Sequence, residues 1–370
     1  MRRATLYRPW VIPTACSARE SVARCIASLR LKRLLPLCAL VLCLLAAAPG
    51  VAAVAFNPSP HAIDIPQWFK TSFLDFREDI AESSRQGKRL VAYFGQDGCP
   101  YCRELMRANF SQKDIADKAR KNFDIVAFNI WGDREVVWLV RSKYTEKSFS
   151  ALMKVQFTPT LLFFDEQGKV VLRLNGYYPP HKFAAALDYV AGRHESRTAF
   201  AAYLAENARE QASGRLHDES FFMRAPHDLA RSRKGARPLA VFFEQKECAA
   251  CDELHGRTLK RKSMLPLFRK FDIARLELFG QGRVVTPDAR RSTEERWARE
   301  LNVAYTPSII FFDGQGNEIL RVEGYVRPFH LESSFAYVAS GAYRKEPSFQ
   351  RYIQRRAESI RQAGGKVEIW

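Results

Sequence analysis

The chain has 370 residues, 58 Lys and Arg against 40 Asp and Glu, and 47% apolar residues with 26 Phe. That composition supplies cores for two or three domains and excludes a disordered, collagen-like or block-charged chain. The first 55 residues hold eight basic residues and one acid, so the remainder, 50 basic against 39 acidic, carries +11 of the total +18. No basic, aromatic-interleaved cluster accompanies the residual charge, so it reads as solvated surface and no nucleic-acid partner is expected.

Residues 1–55 come first. The basic flank ends at Arg33, the apolar run from Leu34 is broken by Pro49 and Gly50, and small residues stand at Ala53 and Ala55. This is the pattern of a secretory signal peptide cleaved after Ala53 or Ala55. Left uncleaved, Leu34 to Phe56 is just long enough to anchor the chain in a membrane. An exported, periplasmic protein is therefore expected.

Of the eight cysteines, four lie in that leader, and the other four form Cys99-Pro-Tyr-Cys102 and Cys248-Ala-Ala-Cys251. A structural disulfide framework would scatter its cysteines. Haem attachment needs His after the second Cys, where Arg103 and Asp252 stand. A four-Cys zinc site has its pairs much closer than the 145 residues separating these. His255, one turn after Cys251, reads as a surface helix residue rather than a ligand. No metal and no cofactor beyond the cysteines themselves is expected, and the remaining reading is a pair of dithiol redox centres.

The surroundings of the two pairs repeat. Arg89 to Phe94 and Pro238 to Phe243 are short apolar runs, predicted as buried strands leading into C-x-x-C helices. Strands follow at Phe123 to Phe128 and Phe271 to Leu278. Then Thr158-Pro159 and Thr306-Pro307 each precede an apolar strand. Asp-Glu-Gln-Gly168 and Asp-Gly-Gln-Gly316 are hairpin turns. Leu172 to Tyr177 matches Leu320 to Tyr325, and Tyr189 matches Tyr337, at an offset of 148 that becomes 149 at the cysteines. The strand–helix–strand, helix and hairpin order predicts an α/β sandwich around a mixed sheet, present twice. The expected divisions are a leader 1–55, a first domain 60–195, a helical connector and basic linker 196–235, a second domain 236–345, and a C-terminal helix and tail 346–370. The connector is expected to be helical from Arg197 to Ser213, and Trp370 is a candidate to dock back on a domain.

A C-x-x-C opening a helix, with Thr-Pro about 60 residues later before a strand, resembles the thioredoxin superfamily. The features Asn129-Ile-Trp-Gly-Asp-Arg-Glu135 and Gly176-Tyr-Tyr-Pro-Pro180 resemble its exported SoxW-type members. The resemblance runs from about Ile65 to about Tyr343. It implies two tandem thioredoxin folds, cis bonds before Pro159 and Pro307, and thiol–disulfide exchange. Cys99 and Cys248 would be the exposed attacking thiols, and Cys102 and Cys251 the buried resolving ones. Thr158, Pro159, Thr306 and Pro307 would line the substrate groove, with the threonines tuning the sulfurs. Partners would be thiol- or disulfide-bearing proteins, with electrons drawn from a membrane dithiol transporter in the reductase direction.

There are departures from the family pattern. Gly98 and Glu247 replace the Trp before the first Cys, and Tyr93 and Phe242 stand where cytosolic thioredoxins bury an Asp. A water or Glu244 could take that proton in the second unit, but Glu244 reads as a solvent-facing strand end. Oxidase or isomerase activity, a non-catalytic scaffold with closed disulfides, and metal handling by the dithiols stay open. The different dipeptides, Pro-Tyr and Ala-Ala, point to unequal potentials and an electron relay between the units.

Overall fold

The computed structural model describes residues 63–231 and 235–367. The leader and Trp370, with the expectations attached to them, lie outside those residues.

In the first repeat, α1 (Phe76–Arg85) leads to β1 (Arg89–Gly95), α2 (Pro100–Glu104, continued as a π-turn Leu105–Phe110), α3 (Lys113–Asn122) and β2 (Phe123–Asn129). A small hairpin, β3 (Glu135–Val137) and β4 (Lys143–Thr145), leads to α4 (Glu146–Leu152). Then come β5 (Thr160–Phe164), β6 (Val170–Asn175), α5 (Pro180–Ala191) and α6 (Phe200–Asn207). The sheet order is β2-β1-β5-β6. β1 is parallel to β2 and antiparallel to β5, and β5 is antiparallel to β6.

The two-residue period of β1 explains the layers. Val91 and Tyr93 enter the core under α2, α3 and α5, while Leu90, Ala92 and Phe94 enter the core under α1 and α4. Because helices cover both faces, β1 is buried along its whole length and reads as an unbroken apolar run. The helix α1 starts where the Asp75 carboxylate accepts the Arg77 and Glu78 N–H groups. Asp75→Ala removes this cap and should cost about 1 kcal/mol, read as a lower denaturation midpoint.

The second repeat follows the same plan. Its elements are β7 (His227–Asp228), β8 (Leu239–Glu244), α7 (Ala249–Glu253, continued as a π-turn Leu254–Thr258), α8 (Leu265–Phe268) and β9 (Asp272–Glu277). After them come β10 (Arg283–Val285), β11 (Arg291–Thr293), α9 (Glu294–Glu300), β12 (Ser308–Phe312), β13 (Glu318–Glu323), α10 (Pro328–Ala339) and α11 (Phe349–Gln362). The order β9-β8-β12-β13 matches the first sheet. Ala240 and Phe242 face one core, and Leu239, Val241 and Phe243 the other. The recurrent arginines do the same job twice. Arg173 donates to the Met153 carbonyl at 2.7 Å and Arg321 to the Leu301 carbonyl at 2.9 Å, each at the C-terminus of the preceding helix.

The connector differs from the sequence expectation. The helix α6 stops at Asn207, six residues before Ser213, because the following segment is drawn onto the second domain. There the Glu210 carboxylate accepts the Ala249 N–H at 3.1 Å, and Ser213 donates to Asp252. The end of the connector is also folded into that domain. β7 pairs in parallel with β10, and Arg231 is buried 3.3 Å from Asp272. In the first domain a single bridge between Asp75 and Val137 takes the place of β7.

Candidate functional site

Each cysteine pair sits where a central strand gives way to a helix. Cys99 caps α2 and its Sγ accepts the Cys102 N–H at 3.1 Å; Cys248 caps α7 and accepts the Cys251 N–H at 3.1 Å. These N–H groups and the helix N-terminus favour a thiolate at the two sulfurs. Both pairs are disulfide-bonded, with Cα–Cα distances of 5.3 and 5.2 Å. Gly98 answers a backbone demand: its φ of +70° is one that side-chain-bearing residues rarely adopt.

The Thr158–Pro159 and Thr306–Pro307 bonds are both cis, and a third cis bond, Ala225–Pro226, was not anticipated. The Cys99 sulfur lies 3.4 Å from the Thr158 carbonyl oxygen. The threonine hydroxyl is turned elsewhere, accepting from Gln96 Nε2 at 3.0 Å, and Gln96 Oε1 in turn accepts the Trp131 indole N–H at 2.7 Å. The group facing the sulfur is therefore the backbone of Thr158, not its side chain. Thr306 is likewise buried.

The expectation of two exposed attacking thiols is corrected. Cys99 is 4% and Cys248 1% exposed, against 0% for Cys102 and the same 1% for Cys251. The cause is that the repeats pack face to face through equivalent residues. Asn175 donates to Glu323, its counterpart at the same offset, at 2.6 Å. Tyr305 packs in the first domain's core, 4.4 Å from the Tyr178 ring, while Phe157 packs in the second domain's core, 5.1 Å from the Phe349 ring. Lys182 reaches Glu210 at 2.8 Å and the Tyr305 hydroxyl at 3.3 Å. Burial pushes the Glu323 carboxyl above its ordinary range, against the pull of Arg321 and the Asn175 hydrogen bond.

Near Cys99, Tyr101 and the C-terminal helix complete the cover. The Tyr101 hydroxyl accepts the Arg327 N–H at 2.9 Å, and its ring meets His330 edge-on at 5.2 Å. From α11, Gln350 accepts from Gln96 at 2.8 Å and donates to the Gln156 carbonyl at 3.0 Å. The C-terminal helix, to which the sequence attached no chemistry, thus forms a wall of the first centre. Its contacts to Gln96 and Gln156 span 254 and 194 residues, and no local pattern signals them.

The second centre holds two further corrections. Glu244 is 0% and His255 1% exposed, so neither is a surface residue. Glu244 lies two residues beyond Phe242, on the strand face covered by α7, where alternation alone places it. His255 Nε2 is 2.9 Å from Glu244 and Nδ1 is 2.9 Å from Glu219. The His217 ring stacks on His255 at 4.5 Å and bonds Asp252 at 2.6 Å. Burial opposes charge on His255, but the bonds and charges of Glu244 and Glu219 outweigh it and raise its pKa. The first domain has Gly95 and Met106 at the equivalent positions, and its Tyr93 phenol is pushed well above the ordinary range by burial.

Among the described residues, no cluster of three or more His, Cys, Asp or Glu is placed to hold a metal ion. No described helix is long and apolar enough to cross a membrane.

The chain is 29% identical to human (Homo sapiens) nucleoredoxin over 110 residues, 26% of this chain and 25% of that protein. It is 26% identical to the thiol:disulfide interchange protein DsbD of Pseudoalteromonas atlantica over 113 residues, 30% of this chain and 17% of that protein. The matches therefore take in a quarter or less of either relative's length. A solved thioredoxin-fold protein from Helicobacter pylori aligns at 24% identity and a TM-score of 0.29, covering 34% of this chain and 85% of that one. The thioredoxin-like domain family matches residues 76–191 and again 225–339. The chain belongs to that family, as two tandem thioredoxin folds that each carry a disulfide-bonded C-x-x-C pair.

Proposed function

We propose that this is an exported thiol–disulfide oxidoreductase working in the reductase direction, with thiol- or disulfide-bearing proteins as partners and a membrane dithiol transporter as electron source. The carrying observation is the doubled arrangement of a disulfide-bonded C-x-x-C pair whose first cysteine caps a helix. The leader pattern supports export. The SoxW-type resemblance and the similarity to a thiol:disulfide interchange protein support exchange with a dithiol partner. Catalysis is assigned to Cys99 and Cys248 as attacking sulfurs and to Cys102 and Cys251 as resolving ones, with no cofactor beyond the disulfides. Thr158, Pro159, Thr306 and Pro307 bound the substrate side.

The burial of all four sulfurs favours one second reading, a binding scaffold whose disulfides stay closed. A redox titration in glutathione and dithiothreitol buffers, with each pair read by alkylation and mass, separates the two. Potentials at or below about −230 mV are expected for reductase centres, values near −120 mV would mark an oxidant, and pairs that never open would mark the scaffold. Unequal potentials would support a relay between the centres, and equal ones would end that idea.

A further inference from the structure

We propose that the first centre exchanges disulfides with a low-molecular-weight thiol or disulfide held in a cavity between the two domains, and not with an extended protein strand. The proposal rests on the thiol–disulfide reading above.

The cavity has a volume of about 160 Å³ and is lined by Cys99 and Thr158 of the first domain, His330 of the second, and Ile353 and Gln354 of α11. Pockets for drug-sized ligands run to about 300–1,000 Å³, so this space is sized for a small organic disulfide. Cys248 and Cys251 do not line it.

Its walls are fastened on the side where a protein substrate would lie. An extended strand beside the Thr158–Pro159 backbone would add to it by main-chain hydrogen bonds. That ground is held by α11. Gln350 bonds both Gln96 and the Gln156 carbonyl, Phe349 packs on Phe157, and the Arg351 guanidinium lies 5.2 Å from the Trp131 ring centre. Tyr101, bonded to the Arg327 N–H, closes the side toward α10.

His330 forms part of the wall. His330 is 8% exposed, and its buried Nδ1 has no hydrogen-bond partner among the described residues. Burial pushes its pKa down to about 4, so the ring is neutral and adds no charge to the wall.

The chemistry balances with the ligand as co-reactant. In the reduced centre the Cys99 thiolate attacks one sulfur of RS–SR, forming the Cys99–SR mixed disulfide and expelling RS⁻. The Cys102 thiolate then attacks the Cys99 sulfur, closing the Cys99–Cys102 disulfide and expelling the second RS⁻. The protein loses two electrons and the ligand gains them; each RS⁻ takes a proton from water. With two RSH the sequence runs backward.

The test uses the full chain carrying Cys248→Ser and Cys251→Ser, so that only the first centre reacts. After reduction and desalting it is mixed with bis(2-hydroxyethyl) disulfide, with cystine, or with insulin, and closure of Cys99–Cys102 is timed by alkylation and mass. At equal disulfide concentration the small reagents should react at least about tenfold faster than insulin. Gln354→Trp, at an exposed position on the cavity wall, should slow the small reagents about fivefold or more with the unfolding midpoint unchanged. Gln350→Ala, which unfastens α11, should raise the insulin rate. Insulin reacting as fast as the small reagents, or small-reagent rates that ignore Gln354→Trp, would overturn the inference and leave the oxidoreductase reading standing. Reaction with none of the three would overturn both.

Discussion

His255→Leu is expected to destabilise the protein by about 3–5 kcal/mol, the cost of removing one partner from a buried ion pair. The ring and the Glu244 carboxylate are both buried, with side chains 2% and 1% exposed, and they meet at 2.9 Å. Taking away the imidazole strands Glu244, whose Oε2 already has no partner among the described residues. The double variant Glu244→Leu/His255→Leu should recover much of the loss, since an apolar pair removes the stranded charge with its partner. The pH dependence has a definite sign. The folded-state pKa of His255 lies above its unfolded value of about 6.5. The stabilisation from the charged ring is therefore complete below about pH 6.5 and is lost as pH rises through the folded pKa. Urea denaturation at pH 6 and pH 8 should show the parent protein losing stability over that interval and His255→Leu losing less. A cost under about 1 kcal/mol, with the pH slope unchanged, would mean the ring is not held charged between its carboxylates.

The second large effect is on activity. Cys99→Ser and Cys248→Ser combined should reduce exchange with small disulfides to the uncatalysed rate, because no helix-capping sulfur remains to attack. Each single variant should retain the other centre's contribution. Cys102→Ser and Cys251→Ser differ in kind. Without a resolving thiol, the mixed disulfide on Cys99 or Cys248 should accumulate and be visible by mass. Equal trapping at all four positions would show that the helix N-terminus does not select the attacking sulfur.

The second-centre carboxylate and imidazole show why some of the site was hidden. Glu244 stands at the end of an apolar run and His255 sits among Glu253, Gly256 and Arg257, so their immediate neighbours look like surface. What buries them comes from afar. Glu219 and His217 arrive from the connector, 36 and 38 positions before His255, and complete the bonds that make a buried charge tolerable. Strand alternation did carry a signal for Glu244, since it shares the inward face with Phe242. The rule that charged strand ends face solvent overrode it.

The amino-acid sequence alone determined the doubled fold, the paired cysteines and the Thr-Pro positions. These follow from local apolar periodicity, turn residues and a repeat at an offset of 148 to 149, all of which are legible along the chain without knowing which surfaces meet. Tertiary structure alone decided access to the sulfurs. Exchange of Phe157 and Tyr305 between cores, the Asn175–Glu323 bond and the seating of α11 through Gln350 turn two open grooves into covered ones. The physical reason is that burial depends on which surfaces meet, and here they meet across 148 to 254 residues of chain.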